Sequence, residues 1–421
     1  MTTELPAHPY TTVTPVTRVR PMYFVALGLA QFGIFIAILA PVIISMQLKA
    51  QEMNPADPAS VVGSVLPIGA LGALIGNPVF GALSDATRTR WGRRKPWLLA
   101  GILGLLGGLF WVSVSSSVLE LTFAWLVCQL ASNAASAALI ASFADNVPED
   151  QRGRGSSIFA LAQNVSILAG IYGAVLLADN LPLLFLLPGV IGVALVAVYV
   201  FITPDRLPEV ERRPFSLTRI LGTFWTNPFR FPDFGLAWWS RFLITFASML
   251  FTTYRYLYMQ DHLGLDADVA LAAVANGVLF YTIALMVAGL LSGWLSDRLG
   301  RRKVFVAAST LLFGVGLVLL AFAGTVEAFY LAEVVMGLAY GVYTAVDTAL
   351  VVDVLPDPKK PGKDLGVINI ANSLPQSLAP AVGLLLLGIG GGTGNYVALL
   401  WGAGIVAVIG AAVVLPIRGV R

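Results

Sequence analysis

Four charged residues sit inside segments that are otherwise apolar: Arg241, Arg255, Glu333 and Asp347. Their flanks read "FLITFASMLF" and "VVMGLAYGVY". A charge in such surroundings is costly, so residues of this kind are functional candidates by default. The spacing adds to this. Arg255 follows Arg241 by 14 residues, and Asp347 follows Glu333 by 14. Fourteen residues are close to four helical turns, so each pair returns near one helix face. In two antiparallel helices, Arg241 matches the depth of Asp347, about seven residues or roughly 10 Å from one end. Arg255 likewise matches Glu333 near the other end. The chemistry open to such pairs is proton carriage: burial favours a neutral carboxyl, and a nearby arginine favours a carboxylate. A permanent structural ion pair is the competing reading, as is an Arg241 that snorkels to the interface and leaves Asp347 facing water.

The elements that hold these charges follow from composition. Of 421 residues, 57% are hydrophobic and 12% charged, and the mean hydropathy is +0.82. Soluble domains carry about 25% charged residues, so the solvent of this chain is lipid. A helical span takes about 20 apolar residues. Twelve stretches qualify: 22–47, 60–83, 96–116, 119–144, 156–178, 182–203, 234–259, 269–295, 303–324, 327–354, 364–389 and 396–416. They are helices, because lipid-exposed segments must satisfy their own backbone hydrogen bonds. Barrel strands would be near ten residues and alternating. The expected fold is therefore an all-α membrane protein with twelve transmembrane helices.

Several functions are excluded. A lone Cys128 makes no internal disulfide, and His8 and His262 are too few for a zinc cluster, so no metal site is expected. A net charge of +3 is small for a nucleic-acid partner. The absence of a G-x-x-x-x-G-K-[ST] loop argues against an ATP-driven pump, and no nucleophile–His–acid set suggests an enzyme. The opening "MTTELPAHPYTTVTPVTRVR" is polar and proline-dotted, and reads as a flexible tail rather than a signal peptide.

The chain divides into a tail (1–21), a six-helix half (22–203), a linker rich in Pro and Arg (204–233), a second six-helix half (234–416) and a short tail (417–421). Of the 26 lysines and arginines, 23 fall on one side of this topology. The positive-inside rule makes that side cytoplasmic, with both termini on it, as expected of a plasma (inner) membrane protein.

Two basic knots stand out, "GALSDATRTRWGRRKPW" (Gly81–Trp97) and "GWLSDRLGRRK" (Gly293–Lys303). Gly92 and Gly300 each open "GRRK", 208 residues apart. Asp145 and Asp353 are 208 apart, as are Asn164 and Asn372. A constant offset over three helices indicates two pseudo-symmetric halves of common design. The first knot carries a four-residue insertion between Asp85 and Gly92.

These residues resemble the major facilitator superfamily, whose signature G-x-x-x-D-R/K-x-G-R-R follows helices 2 and 8. Gly293, Asp297, Arg298, Gly300, Arg301 and Arg302 match it fully. Gly81, Asp85, Gly92, Arg93 and Arg94 match around the insertion, with Ala86 in place of the basic residue. "DATRTRWGRRKP" and "DVLPDPKKPGKDLGVINIANSLPQSLAP" are similar to the glycoside- and sucrose–cation symporter branch. Helix 4, however, carries no acid from Leu121 until Asp145, and helix 5 lacks the intramembrane arginine of plant-type sucrose symporters.

The resemblance implies a secondary transporter in which two halves rock around a central site. It moves a small polar solute, a sugar or glycoside, with a proton or sodium as coupling ion and no other cofactor. The remaining partners are membrane lipid, and the protein is expected to be monomeric. Helices 1, 4, 7 and 10 line the cavity in this family, which makes Asp347 the expected coupling acid and Arg241 its partner. Arg255 and Glu333 are expected to form an outer gate or interface pair. Asp85 and Asp297 are expected to latch onto the starts of helices 11 and 5, whose free N–H groups attract anions. Arg93, Arg94, Arg301 and Arg302 can pair with Asp145 and Asp353. Expected solute contacts are Gln31, Gln129, Asn133, Asn164, Tyr254, Tyr258, Tyr281, Asn369, Asn372 and Gln376, with Gln163 and Asn276 beside them. Amides bond hydroxyls, and rings cover sugar faces. Helix–helix hydrogen bonding is the alternative for each. A proton-driven exporter of drugs or secondary metabolites is the alternative function; helix 5, "NVSILAGIYGAVLL", lacks the proline of that branch's G-P-x-x-G-G-like signature.

Overall fold

A computed structural model describes residues 18–205, 226–356, 361–390 and 394–420. The linker expected at 204–233 falls largely outside the described residues, as do Lys359 and Lys360. Twelve helices long and apolar enough to cross a membrane are present among the described residues. They are α1 (Pro21–Met53), α2 (Pro58–Ala86), α3 (Lys95–Val114), α4 (Val118–Asn146), α5 (Glu149–Leu177), α6 (Leu181–Ile202), α7 (Pro232–Asp261), α8 (Ala267–Leu299), α9 (Arg302–Ala321), α10 (Val326–Asp353), α11 (Pro361–Leu387) and α12 (Tyr396–Val414). Several exceed their expected limits. α5 begins at Glu149 rather than 156, because the polar run "EDQRGRG" continues the helix beyond its apolar part.

An even number of spans puts residues 18 and 420 on one face, here termed the terminal side; the opposite face is the distal side. On the distal side, α2, α4, α6, α10 and α12 start with side-chain caps. Asp57, Ser117, Asn180, Thr325 and Asn395 each accept from a backbone N–H three residues on. Such caps satisfy donors that have no partner inside the helix. The terminal side instead carries the charged connections.

The repeat legible at the offset of 208 is also a repeat in packing. Within the first half the main contacts are α1 with α5 and α6, α2 with α4, α3 with α4, and α3 with α6. The second half repeats them as α7 with α11 and α12, α8 with α10, α9 with α10, and α9 with α12. Between the halves, α2 meets α11 and α5 meets α8, two contacts related by the same exchange. Close approach of α8 and α10 depends on small residues. A β-carbon on Gly337 or Gly341 would run into the backbone carbonyls of Tyr281 or Leu285, the kind of contact that membrane helices use in place of a hydrophobic driving force. α1 carries a π-helical turn at Pro41–Ser45. Proline removes a donor there, and the wide turn re-aims the distal end of α1.

Candidate functional site

α7 and α10 hold the four intramembrane charges. Arg241 Nε donates to Asp347 Oδ2 at 2.7 Å, and Arg241 Nη2 donates to the same oxygen. Asp347 is 1% exposed and the Arg241 side chain 13%. Asp347 Oδ1 has no well-aligned hydrogen bond, and the hydroxyl of Tyr343, one turn away on the same helix, stands next to the pair. The distal pair is looser. Arg255 Nε lies 3.2 Å from Glu333 Oε1, but neither Glu333 oxygen nor Arg255 Nε has a hydrogen-bond partner. The guanidinium rests 5.2 Å over the Phe251 ring, and Glu333 is 0% exposed. The backbones of α7 and α10 approach each other little, so long side chains bridge the gap.

Hydrogen bonds join the two halves at their distal ends. Gln47 Nε2 donates to Thr253 O at 2.8 Å, Gln51 Nε2 bonds Gln260 Oε1, and Tyr172 donates to Asn276 Oδ1 at 3.0 Å. The terminal ends differ. There α5 and α11 present polar side chains in open positions: Gln163 on α5, Asn369 and Gln376 on α11, with Asn164 and Asn372 partly open. Asn164 lies about fifteen residues into α5 and Asn372 about eleven into α11, near mid-span at 1.5 Å per residue. Amides at that depth do not suit lipid, and their stripes read as walls of a cleft open to the terminal side. Asn164 Nδ2 donates to Ala160 O and Gln376 Nε2 to Asn372 O, which leaves the amide oxygens for a solute. On α4, Asn133 donates to Gln129 O and both are half-buried; on α1, Gln31 is buried.

Two expected solute contacts lie elsewhere. Tyr254 is fully buried, donates to Pro380 O and packs between Gly63 and Gly383. Tyr258 is fully buried and donates to Leu320 O at 2.8 Å. Both hydroxyls are spent on backbone carbonyls of neighbouring helices, so these tyrosines tie α7 to α11 and α9. Tyr281 lies with its ring tilted against that of Tyr340, inside the second half.

The first knot folds around Arg94, which is 4% exposed. Its Nη2 is 2.6 Å from Asp85 Oδ1, its Nε 3.0 Å from Asp145 Oδ2, and its Nη1 2.9 Å from Ser84 Oγ. Arg93 reaches Asp145 at 2.7 Å and Asp85 at 3.8 Å. The insertion closes on itself through the Thr89–Gly92 pair. This presents the N–H groups of Arg94 and Lys95 to Asp205 Oδ2, at 2.6 and 2.9 Å. In the second knot Arg302 reaches Asp353 at 2.5 Å, Arg301 precedes α9 as its cap residue, and Arg298 lies over the Trp294 ring. Gly92 and Gly300 share positive φ, 103° and 60°, which glycine adopts at little cost.

Among the described residues Asp85 bonds within its own half, and the side chains at the very start of α11, where its latch is expected, lie outside the described residues. Its partner Arg94 is itself fixed by Asp145 and Ser84. The side chain of Asp297 lies outside the described residues. The signature glycines Gly81 and Gly293 face open space, so nothing packs against them with the distal ends joined.

The sequence reading passed over Tyr340 and Tyr343. The signal was present: Glu333, Tyr340 and Asp347 follow one another at intervals of seven, which keeps them on one face of α10 with a drift of about 20° per step.

Two six-helix halves of like packing, bonded to each other at their distal ends and with buried charge pairs between two helices of the second half, define an integral membrane carrier. The Major Facilitator Superfamily model matches residues 23–287 and 277–420, and the chain belongs to that superfamily. It is a transporter and not an enzyme. Among curated relatives, the chain is 54% identical over 46 residues to an uncharacterized symporter of Synechocystis sp., covering 11% of this chain and 8% of that protein. It is 33% identical over 153 residues to a D-xylose transporter of Levilactobacillus brevis, covering 35% and 30%. The matches thus span less than a third of either relative's length. In fold, the chain is similar to the nucleoside transporter NupG (D323A mutant), with a TM-score of 0.76, 12% identity and coverage of 94% and 99%. It is also similar to a bacterial homolog of the human lysosomal transporter Spinster in an inward-facing, occupied conformation. There the TM-score is 0.72, with 12% identity and coverage of 93% and 95%.

Proposed function

We propose that this transporter is a proton-coupled symporter that carries a small neutral polar solute, a sugar or glycoside, into the cytoplasm. The carrying observation is the pair Arg241–Asp347. A carboxylate 1% exposed takes both guanidinium donors on one oxygen and has no well-aligned hydrogen bond on the other, next to an arginine on a different helix. When the halves rock, α7 and α10 can shift relative to each other. An Asp347 parted from Arg241 binds a proton, and an Asp347 rejoined by Arg241 releases it. The basic connections support a cytoplasmic terminal side, and with the halves bonded at their distal ends this reads the conformation as inward-facing. Arg94 holds Asp85 in this state, and the space at Gly81 and Gly293 receives α11 and α5 when the terminal side closes. The amides of α5 and α11, with Gln129 and Asn133 on α4, suit hydroxyl groups, and the names of the two curated relatives fit a sugar symporter.

The test is internal pH in proteoliposomes challenged with D-xylose, a panel of mono- and disaccharides and a few cationic drugs. Sugar-driven acidification that is lost in Asp347→Asn supports the reading. Sugar uptake that depends on sodium and moves no protons replaces the coupling ion. A drug-induced leak of an imposed pH gradient, with no response to sugars, makes the protein an exporter.

A further inference from the structure

We infer that the seam between α7 and α10 is a proton path inside the C-terminal half, running from Glu333 through the hydroxyls of Tyr281, Tyr340 and Tyr343 to Asp347. It deepens the proposed function, and rests on it, by giving Asp347 a route to the distal half. Glu333, Tyr340 and Asp347 share one face of α10, each about 10 Å further along the axis. Tyr281 of α8 and Tyr343 fill the intervals, with ring centroids 6.4 Å and 5.6 Å from Tyr340. Tight packing at Gly337 brings the α8 backbone at Tyr281 against α10. On α7, Arg241 and Arg255 face Asp347 and Glu333, and Thr245 lies beside Tyr340.

The charged and titratable groups that face the ends are few. Glu333 interacts with Arg255 and Tyr258 of α7 and with Tyr281 of α8. Asp347 interacts with Arg241 of α7 and with Tyr340 and Tyr343 of its own helix. A purely structural seam satisfies its polar atoms. This one leaves both Glu333 oxygens and Asp347 Oδ1 without a well-aligned hydrogen bond, and it sets the Tyr343 hydroxyl beside Asp347. A hydroxyl is both donor and acceptor. Each phenol takes a proton on its oxygen and gives up its own, so one proton leaves Glu333, one arrives on Asp347 Oδ1, and no tyrosine ends charged. Glu333 itself is sealed, whereas the terminal pair is partly open through Arg241, so in this conformation the proton of Glu333 exchanges with water through the seam.

Infrared spectroscopy of the full chain in liposomes, switched rapidly from H2O to D2O, follows the exchange without any solute. The carboxyl band lost in Glu333→Gln identifies that residue. Tyr340→Phe and Tyr343→Phe keep the rings and remove the hydroxyls. Slowing of Glu333 exchange by about tenfold or more in either variant, toward the order of 100-fold expected for loss of a positioned proton-transfer group, supports the path, provided that the amide-band spectrum of the helices is unchanged. A smaller effect in both variants overturns it, as does the absence of any Glu333-dependent carboxyl band over the pH range in which the protein stays folded. The two readings fail separately. Sugar-driven acidification that survives Asp347→Asn sinks the coupling role, and wild-type exchange in the tyrosine variants sinks the path.

Discussion

The two charge pairs of α7 and α10 use the same residue types at the same 14-residue spacing, yet they are built differently. In the terminal pair both guanidinium contacts fall on one carboxylate oxygen as hydrogen bonds. In the distal pair the charges are 3.2 Å apart, the geometry makes no hydrogen bond, and the arginine is turned toward Phe251. Depth matching is therefore enough to bring charges together but not enough to bond them. The terminal pair is a matched donor and acceptor that motion can break. The distal pair leaves a carboxyl group without donors, which a neutral acid tolerates better than a carboxylate does.

The sharpest way to break this comparison is to remove each arginine. Arg241→Met strips Asp347 of its hydrogen bonds and is expected to destabilise the fold by about 3–5 kcal/mol. Arg255→Met is expected to cost about 1–3 kcal/mol, the range for a buried group left unsatisfied. Thermal unfolding in detergent reads both; equal losses would mean that the pairs are energetically alike. Arg241→Met with Asp347→Leu should recover the melting temperature but not the transport.

The knots offer a second, smaller contrast. Arg94 binds Asp85, Asp145 and Ser84 at once, so Arg94→Ala should lower both folded yield and uptake. Asp85 is largely exposed, and exposed pairs contribute about 0–1 kcal/mol. Asp85→Asn should therefore slow uptake several-fold while folded yield stays near wild type. Wild-type uptake in that variant would remove Asp85 from the gating cycle.

The smallest effect concerns the distal end of α7. His262 stacks on Tyr258 with ring centroids 4.9 Å apart, and partial burial holds its imidazole below the usual value of 6.5. The unfolded chain then takes up the proton first, so stability is lost as pH falls through and below that value. His262→Gln should flatten the dependence of melting temperature on pH in this window, with little change at pH above it.

Much of the fold is legible along the chain. Twelve spans, the division into halves, the offset of 208 and the side that carries the basic residues all follow from local composition, because the thickness of a bilayer fixes how long an apolar helix must be. The matching depths of Arg241 with Asp347 and of Arg255 with Glu333 also follow, since rise per residue is constant. The candidate site was legible only in part. Tyr254 and Tyr258 have the composition of solute contacts, but the rotation and tilt of α7 aim their hydroxyls at Pro380 and Leu320. Asp85 has the signature of an inter-half latch, and that Arg94 of its own half stands beside it is a matter of how the loop folds.

The sequence by itself determined which residues lie at which depth and on which side of the membrane. The tertiary structure decided which helix faces which, which oxygen of Asp347 is bonded, that the seam from Glu333 to Asp347 is lined by tyrosines, and that the distal ends close. Depth is a property of one helix in its solvent. Azimuth and partner depend on contacts between helices, such as Gly337 and Gly341 against α8, that join residues far apart in the chain.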